Sequence, residues 1–380
     1  MLILKNVSGH DGLGNRMENQ SIVIQDGNFK QVNKEVILSD EADTIDLQGK
    51  VITPGLIDVH THLGVFEEGN GPAGHDFNET SSASTPQVRA LDGINPFDIG
   101  FEDARQAGIT TAQILPGSAN VIGGEMVIVK TVGKVADEMV VKEPSGLKAA
   151  TGENPKRFHG GQGKLPTTRM GVAGILRDKL YEAKSYVKKQ ENGDTDFNLE
   201  LENIVKVIRK EIPLRVHAHR AEDIATVLRI KREFDIELTI EHGTEGHLMP
   251  EFIAEHEVSV AVGPTLSARS KVELKNKGWE TLSVYAKHQI PFAITTDHPV
   301  VPIEHLMTSA IMGVKHGLTE DQALQALTSK AAAHIGLEDR LGSIEIGKDA
   351  DFVIWDQDPF DLRSNVEATY INGKMVYSNK

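Results

Sequence analysis

Residues 51–62 read Val51-Ile52-Thr53-Pro54-Gly55-Leu56-Ile57-Asp58-Val59-His60-Thr61-His62. An apolar run ends in two histidines two positions apart, and along an extended strand that spacing sends both imidazoles to one face. Two neutral imidazoles at a rigid strand end make half of a divalent-metal site, which can turn water into a nucleophile near neutral pH. A His-x-His pair alone is a weak signal. Here the Pro54-Gly55 turn, the apolar Leu56-Ile57 and the adjacent Asp58 place the pair at the end of a buried strand, the context in which it reads as a ligand pair.

Outward from this stretch, the two ends of the chain resemble each other and differ from the middle. Ser21–Gln25 and Phe29–Val32 flank Asp26-Gly27-Asn28, and Ala368–Ile371 and Lys374–Tyr377 flank Asn372-Gly373, two hairpin signals with Gly turns. With the strand-like Ala350–Trp355 they suggest one small β-sandwich built from both ends, residues 1–53 plus 341–380. Between them, over 54–340, strand-like and helix-like segments alternate, which favours a parallel sheet with helices outside. Strands are expected at 56–62, 108–115, 126–130, 146–151, 213–219, 236–242, 258–263 and 291–297. Helices are expected at 168–191, 197–210, 222–234, 248–256, 270–288 and 303–315, with a last one opened by the capping box at Thr319. The fold class is therefore α/β: a (β/α)8 TIM barrel with a small β-sandwich domain.

The length of 380 residues suits one such barrel, roughly 250 residues, plus a smaller unit. A formal charge of −15 argues against a nucleic-acid groove, which needs clustered Lys and Arg. Cysteine is absent, so disulfides, thiolate ligands and a cysteine nucleophile are all excluded. A metal would have to be held by His, carboxylate or a lysine-derived oxygen. With no apolar run of membrane-spanning length and no signal-peptide pattern, the expectation is a cytoplasmic protein with a small-molecule substrate, no nucleic-acid or membrane partner, and a homo-oligomer left open.

Unusual polar residues gather at the ends of the expected strands. Arg215-Val216-His217-Ala218-His219-Arg220, Glu241-His242-Gly243 and Thr295-Thr296-Asp297-His298 join His60 and His62. In a (β/α)8 barrel the C-terminal strand ends converge on one mouth, where the chemistry takes place.

With these segments in view, the chain resembles the amidohydrolase superfamily of metal-dependent hydrolases, nearest in look to its imidazolonepropionase-like and prolidase-like branches. The resemblance also takes in the late Gly342–Asp351 run. It implies the barrel-plus-sandwich architecture, with His60, His62 and Asp297 on one metal and His217 and His242 as the other histidine ligands. It implies one or two divalent ions, zinc first, although nitrogen and oxygen ligands suit several metals. His219 shares a strand face with His217 and competes with it for ligand status; matching the family position favours His217, leaving His219 to orient a ligand or face the substrate. Two-metal relatives bridge their ions with a carboxylated lysine or a Glu, and Lys148 resembles that lysine, with Glu125 as the other candidate. A lysine in an apolar strand needs such an explanation, unless its stem lets the ammonium reach water.

Asp297 has two jobs open to it, metal ligand and proton carrier, against the plain reading of a helix cap. From Asn154 to Arg177 no residue is acidic, and Arg157, His159 or Arg169 there could bind a substrate carboxylate, as could Arg220 after the fifth strand. The segment Gly64–Phe97 is expected to form a lip over the mouth. Gly160-Gly161-Gln162-Gly163-Lys164 is not a phosphate loop, since Phe158 and Leu165 stand where Gly and Ser/Thr are required.

The reading that follows is a metal-dependent hydrolase cleaving an amide-type C–N bond in a small molecule, with Asp297 and His219 as catalytic groups. Single-metal deamination of a heterocycle is the alternative. Deaminase relatives and imidazolonepropionase place a Glu three residues after the fifth-strand histidine, and Arg220 stands there instead. A catalytically inactive barrel serving as a binding subunit is the third reading.

Overall fold

The computed structural model describes residues 1–33 and 42–379; residues 34–41, within the expected terminal unit, lie outside the described residues. Among the described residues sixteen strands fall into two sheets of eight. The terminal sheet holds β1 (Leu2–His10), β2 (Arg16–Gln25), β3 (Asn28–Asn33), β4 (Asp43–Asp46) and β5 (Val51–Pro54) from one chain end. From the other come β14 (Phe352–Trp355), β15 (Val366–Ile371) and β16 (Lys374–Ser378). Both hairpins expected from Asp26-Gly27 and Asn372-Gly373 are present, with Asp26, Gly27, Asn372 and Gly373 all at positive φ, the region that Gly, Asn and Asp tolerate best. The two ends meet where β14 pairs with β5, and Leu4, Val7, Ile22, Phe29, Ile52, Phe352 and Tyr370 share one apolar cluster.

The barrel sheet runs β6 (Leu56–Thr61), β7 (Ile109–Ile114), β8 (Ile122–Lys130), β9 (Val140–Ala150), β10 (Leu214–Ala218), β11 (Leu238–His242), β12 (Val260–Val262) and β13 (Phe292–Ile294), each beside the next. These are the eight expected strands, with one difference of direction. β8 is antiparallel to both β7 and β9, while the remaining neighbours pair in parallel. No helix lies between β7 and β8, and a single turn, Ala136–Met139, precedes β9. A short connection between neighbouring strands can only make a meander, because a parallel crossover needs a dozen residues or more.

The reversal sets the N-terminal end of β8, not its C-terminal end, at the mouth. There the lip backbone is bonded to it through Thr85 N to Ile122 O (2.9 Å) and Glu125 N to Val88 O (2.9 Å). Gly124 permits this approach: its φ is +133°, and a Cβ on it would lie 2.5 Å from Val88 O.

The long outer helices, Arg169–Glu191, Leu199–Ile208 and Ala221–Phe234, fall where expected. Those expected over 248–256 and 270–288 are shorter, Pro250–Ala254 and Glu280–Lys287, each preceded by a 3₁₀ turn. The Thr319 capping box forms with Gln322, but its helix ends at Gln325 and a second one, Ser329–His334, continues the chain. Among the described residues no helix is long and apolar enough to cross a membrane.

The barrel is closed by side chains as much as by ladder bonds. Asp297 N donates to His60 O (3.1 Å) and His62 N to His298 O (2.9 Å). The wholly buried Asp58 accepts from Thr295 Oγ1, Thr296 Oγ1, Thr296 N (3.2 Å) and His60 N (3.3 Å), so one carboxyl ties the His-x-His strand to the Asp297 strand. Burial pushes its pKa up to about 6, against the downward pull of those bonds. Asp58→Ala removes several buried acceptors at this seam and is expected to cost roughly 2–4 kcal/mol of unfolding free energy, with Asp58→Asn costing less. Urea denaturation measures both; equal stability of Asp58→Ala and wild type would show that the seam does not depend on this carboxyl.

Candidate metal centre

The strand ends bring two clusters together in the barrel mouth. His60, His62 and Asp297 form one, and His217, His219 and His242 the other, each with one potential ligand atom per residue within 4.8 Å of its neighbours. All five histidines are buried. Asp297 Oδ1 lies 3.4 Å from both His60 Nε2 and His62 Nε2. The clusters adjoin, since the rings of His60 and His242 are 4.6 Å apart. Lys148 Nζ points at the same place, 3.5 Å from His60 Nε2.

Whether these residues suit a metal is decided by their other nitrogens. His60 Nδ1 lies 2.8 Å from Glu241 Oε2, His62 Nδ1 2.8 Å from Leu115 O, and His242 Nδ1 2.7 Å from Gly263 O. A carboxylate and two carbonyls can only accept, so each Nδ1 carries the proton and each Nε2 presents a lone pair. Those lone pairs converge with a carboxylate and exclude water. The donor set is the one divalent ions of the zinc type take, and the residues fit the group.

The electrostatics agree for the second cluster, while in the first His60 is raised, burial and Lys148 being outweighed by Asp297 and Glu241. Burial, then the neighbouring His242, holds His217 and His219 well below the usual imidazole range, and burial pulls His242 down to about 3. They are neutral, the form that ligates. Burial would raise the Asp297 carboxyl, but the surrounding imidazoles of His242, His60 and His62 outweigh it and hold it well below the usual carboxylate range. Burial lowers Lys148 to about 8, opposed by Asp297 and Glu241. Asp297 and His242 also share a positive φ, 54° and 78°, a conformation that costs energy in non-glycine residues and gathers at functional sites.

Glu241 organises the floor of the site. Besides His60 it accepts from Thr239 Oγ1 (2.8 Å), and its Oε1 lies 3.6 Å from His334 Nε2 and 3.8 Å from Arg215 Nη1. Burial would raise this carboxyl, yet His334 and His60 keep it well below the usual range. Arg215, itself buried, donates from Nη2 to His334 O at 3.0 Å. Sequence reasoning quoted Glu241 and Arg215 without giving either a task. The available signal was two charged residues inside strands that are otherwise apolar.

The remaining sequence candidates lie as follows. Glu125 pairs with Lys206 Nζ at 2.6 Å on the helix Leu199–Ile208, one position along β8 from Gly124, the partner of Lys148, so its side chain takes the opposite face of the strand. Arg157 is exposed. His159 Nε2 lies 2.9 Å from Asn120 Oδ1, whose amide reaches Thr85 Oγ1 (2.9 Å), so this histidine braces the lip. Arg169 pairs with Asp223 (3.1 Å) and Arg220 with Glu222 (2.9 Å). The lip sets Phe77 on His62, ring centroids 5.0 Å apart, and backs it with Phe66, giving one apolar wall. Sequence reasoning missed Phe77 and also Glu273, a buried carboxylate in the loop after β12 that lies 3.4 Å from His217 Nε2.

An eight-stranded barrel whose mouth gathers five histidines, an aspartate and a buried lysine defines a barrel with a candidate metal centre. The model of the amidohydrolase family matches residues 51–376. A crystal structure of an amidohydrolase from Thermotoga maritima MSB8 superposes with a TM-score of 0.97, at 41% identity over 100% of both chains. Amidohydrolase tasK from Hapsidospora irregularis is 28% identical over 94% of this chain, which spans only 40% of that protein's length. An imidazolonepropionase from Mesorhizobium japonicum is 25% identical, covering 83% of this chain and 80% of its own. The chain belongs to the amidohydrolase family.

If the two clusters hold ions, the protein purified without added metal should carry divalent metal by plasma mass spectrometry, and His60→Ala or Asp297→Ala should lower that content. Adding the ion back to chelated protein at 100 times its Kd should stabilise the fold by ~2.7 kcal/mol. Metal content equal in wild type and both variants would remove the assignment.

Proposed function

We propose that this enzyme hydrolyses an amide-type C–N bond, open-chain or cyclic, in a small molecule that carries a carboxylate. The observation that supports it most is Asp297, whose Oδ1 stands 3.4 Å from two imidazole nitrogens at the barrel rim, ionised and 14% exposed. His60, His62 and Asp297 would hold one ion and His217 and His242 a second, zinc being the leading choice. Bound there, such ions supply a Lewis acid that polarises a carbonyl and lowers the pKa of water.

The chain's own groups do the rest. Asp297 takes the proton of the attacking water and returns it to the leaving nitrogen. With the Thr244 hydroxyl, 2.6 Å from His219 Nδ1, as donor to that nitrogen, Nε2–H would be left for the oxyanion that forms on the attacked carbonyl. Lys148, brought down to about 8, keeps a neutral amine fraction able to take up carbon dioxide as a carbamate, and would thereby offer oxygens between the two clusters. Phe66 and Phe77 exclude water on the His62 side and favour a substrate with an apolar portion there. Arg220, paired with Glu222, and Lys271, paired with Glu273, are the cations that would exchange those partners for the substrate carboxylate. The relatives named imidazolonepropionase favour a cyclic amide within this class, while Arg220, standing where that branch places a Glu, counts against their own substrate.

A panel of N-acyl amino acids, dipeptides and cyclic amides, assayed for amine or ring-opened product, is expected to give turnover. Ammonia release from nucleobases alone would overturn the reading in favour of deamination. On the accepted substrate, Asp297→Asn should lower kcat by about 10²–10⁴-fold, the usual range for a lost general acid–base group. Retention of kcat would take the proton-carrying role from Asp297.

A further inference from the structure

We propose that Glu273 is a positioning residue for His217: it fixes which ring nitrogen carries the proton and so turns Nδ1, rather than Nε2, into the metal-facing atom. This rests on the reading of the mouth as a metal centre and assigns a task to a residue outside the family's ligand positions.

His217 is held the other way round from its neighbours. His60, His62 and His242 each place Nδ1 against an obligate acceptor and present Nε2. In His217 the Nδ1 is buried and has no hydrogen-bond partner, while Nε2 faces Glu273 Oε1 at 3.4 Å, with His219 Nε2 farther from the same oxygen at 3.7 Å. A carboxylate can only accept, so the proton belongs on Nε2 and the lone pair on Nδ1. A buried nitrogen lone pair without a donor is costly unless a cation uses it.

Glu273 is itself well placed for the task. The side chain is 1% exposed and comes from the 3₁₀ turn Val272–Leu274, at a depth where a carboxylate needs a reason. Its Oε2 accepts from Glu153 N at 2.9 Å, which ties the loop to the end of β9. Gly152 leaves room for it: a Cβ there would lie 2.7 Å from Oε2. Lys277, whose ammonium reaches the carbonyls of Pro264 and Ser267, holds the loop closed from behind.

The plain structural account is that Glu273 only pairs with Lys271, whose Nζ lies 2.6 Å from the same Oε1, to staple the loop. The two accounts differ in sign. If Glu273 serves only the staple, removing either partner loosens the loop and affects metal binding alike. If Glu273 serves His217, Lys271 competes for its oxygen and removing Lys271 frees it.

Titration calorimetry of the chelated full-length protein with zinc ion separates them. Wild type should take up two ions. Glu273→Ala should weaken the second by about 10–100-fold, the usual effect of losing a partner of a ligating histidine, and leave the first unchanged. Glu273→Gln, which keeps a neutral acceptor of the same size, should fall between, and carries the test if the alanine variant does not fold. Lys271→Met should bind the second ion as tightly as wild type or more tightly. Unchanged binding in Glu273→Gln and Glu273→Ala, equal weakening by Lys271→Met and Glu273→Ala, or uptake of one ion by wild type would each overturn the proposal. Uptake of no ion by wild type would instead remove the metal-centre reading beneath it.

Discussion

The site depends on one buried hydrogen bond, His60 Nδ1 to Glu241 Oε2 at 2.8 Å, between two side chains from which water is excluded. A lone carboxylate at that depth would be prohibitively costly. Arg215, His334 and Thr239 offset it from below, while His60 uses it from above. The result is a rigid anion under the mouth that orients the first histidine of the His-x-His pair and keeps its Nε2 lone pair aimed at Asp297. Substituting Glu241 would therefore strand a charge and release a ligand together. That coupling explains why a charged layer persists where an aliphatic one would pack as well.

Above that layer, the reversed strand β8 gives the mouth an asymmetric rim. On most of the barrel the strands are parallel and their ends supply His217 and His242, while the segments that follow them supply His219 and Glu273. On the β8 side the lip occupies the rim instead, stitched to Ile122 and Glu125 and carrying Phe77 onto His62. One side of the mouth is thus polar and set by histidines, the other apolar and set by phenylalanines. A substrate with a hydrolysable polar end and an apolar portion matches that division.

Much of this was legible in the sequence, for reasons that can be named. The His60/His62 pair was readable because a strand repeats every two residues, and Asn372-Gly373 because its turn needs positive φ. The direction of β8 was not, because an apolar run carries no arrow; only the short connections on either side of 122–130 hinted at a meander. Asp297 lies beyond the last ladder residue of β13, Ile294, and is held by bonds to β6. Its place was read from the motif rather than from strand periodicity. Glu273 was out of reach altogether, since its contacts are made by a loop closing in space onto His217 and no spacing in the chain encodes them. Nor did the sequence separate Glu125 from Lys148 as partners of the site; the register of β8 against β9 does.

By the proposed reading His60, His62 and Asp297 hold a cation that activates water, His217 and His242 hold a second, and His219 faces the substrate. Anomalous diffraction from a crystal of the untreated protein tests it most directly. A divalent-metal peak about 2.0–2.2 Å from His60 Nε2, His62 Nε2 and an Asp297 oxygen is the predicted result. Anomalous density confined to other parts of the molecule, with these side chains bonded only to one another, would contradict it.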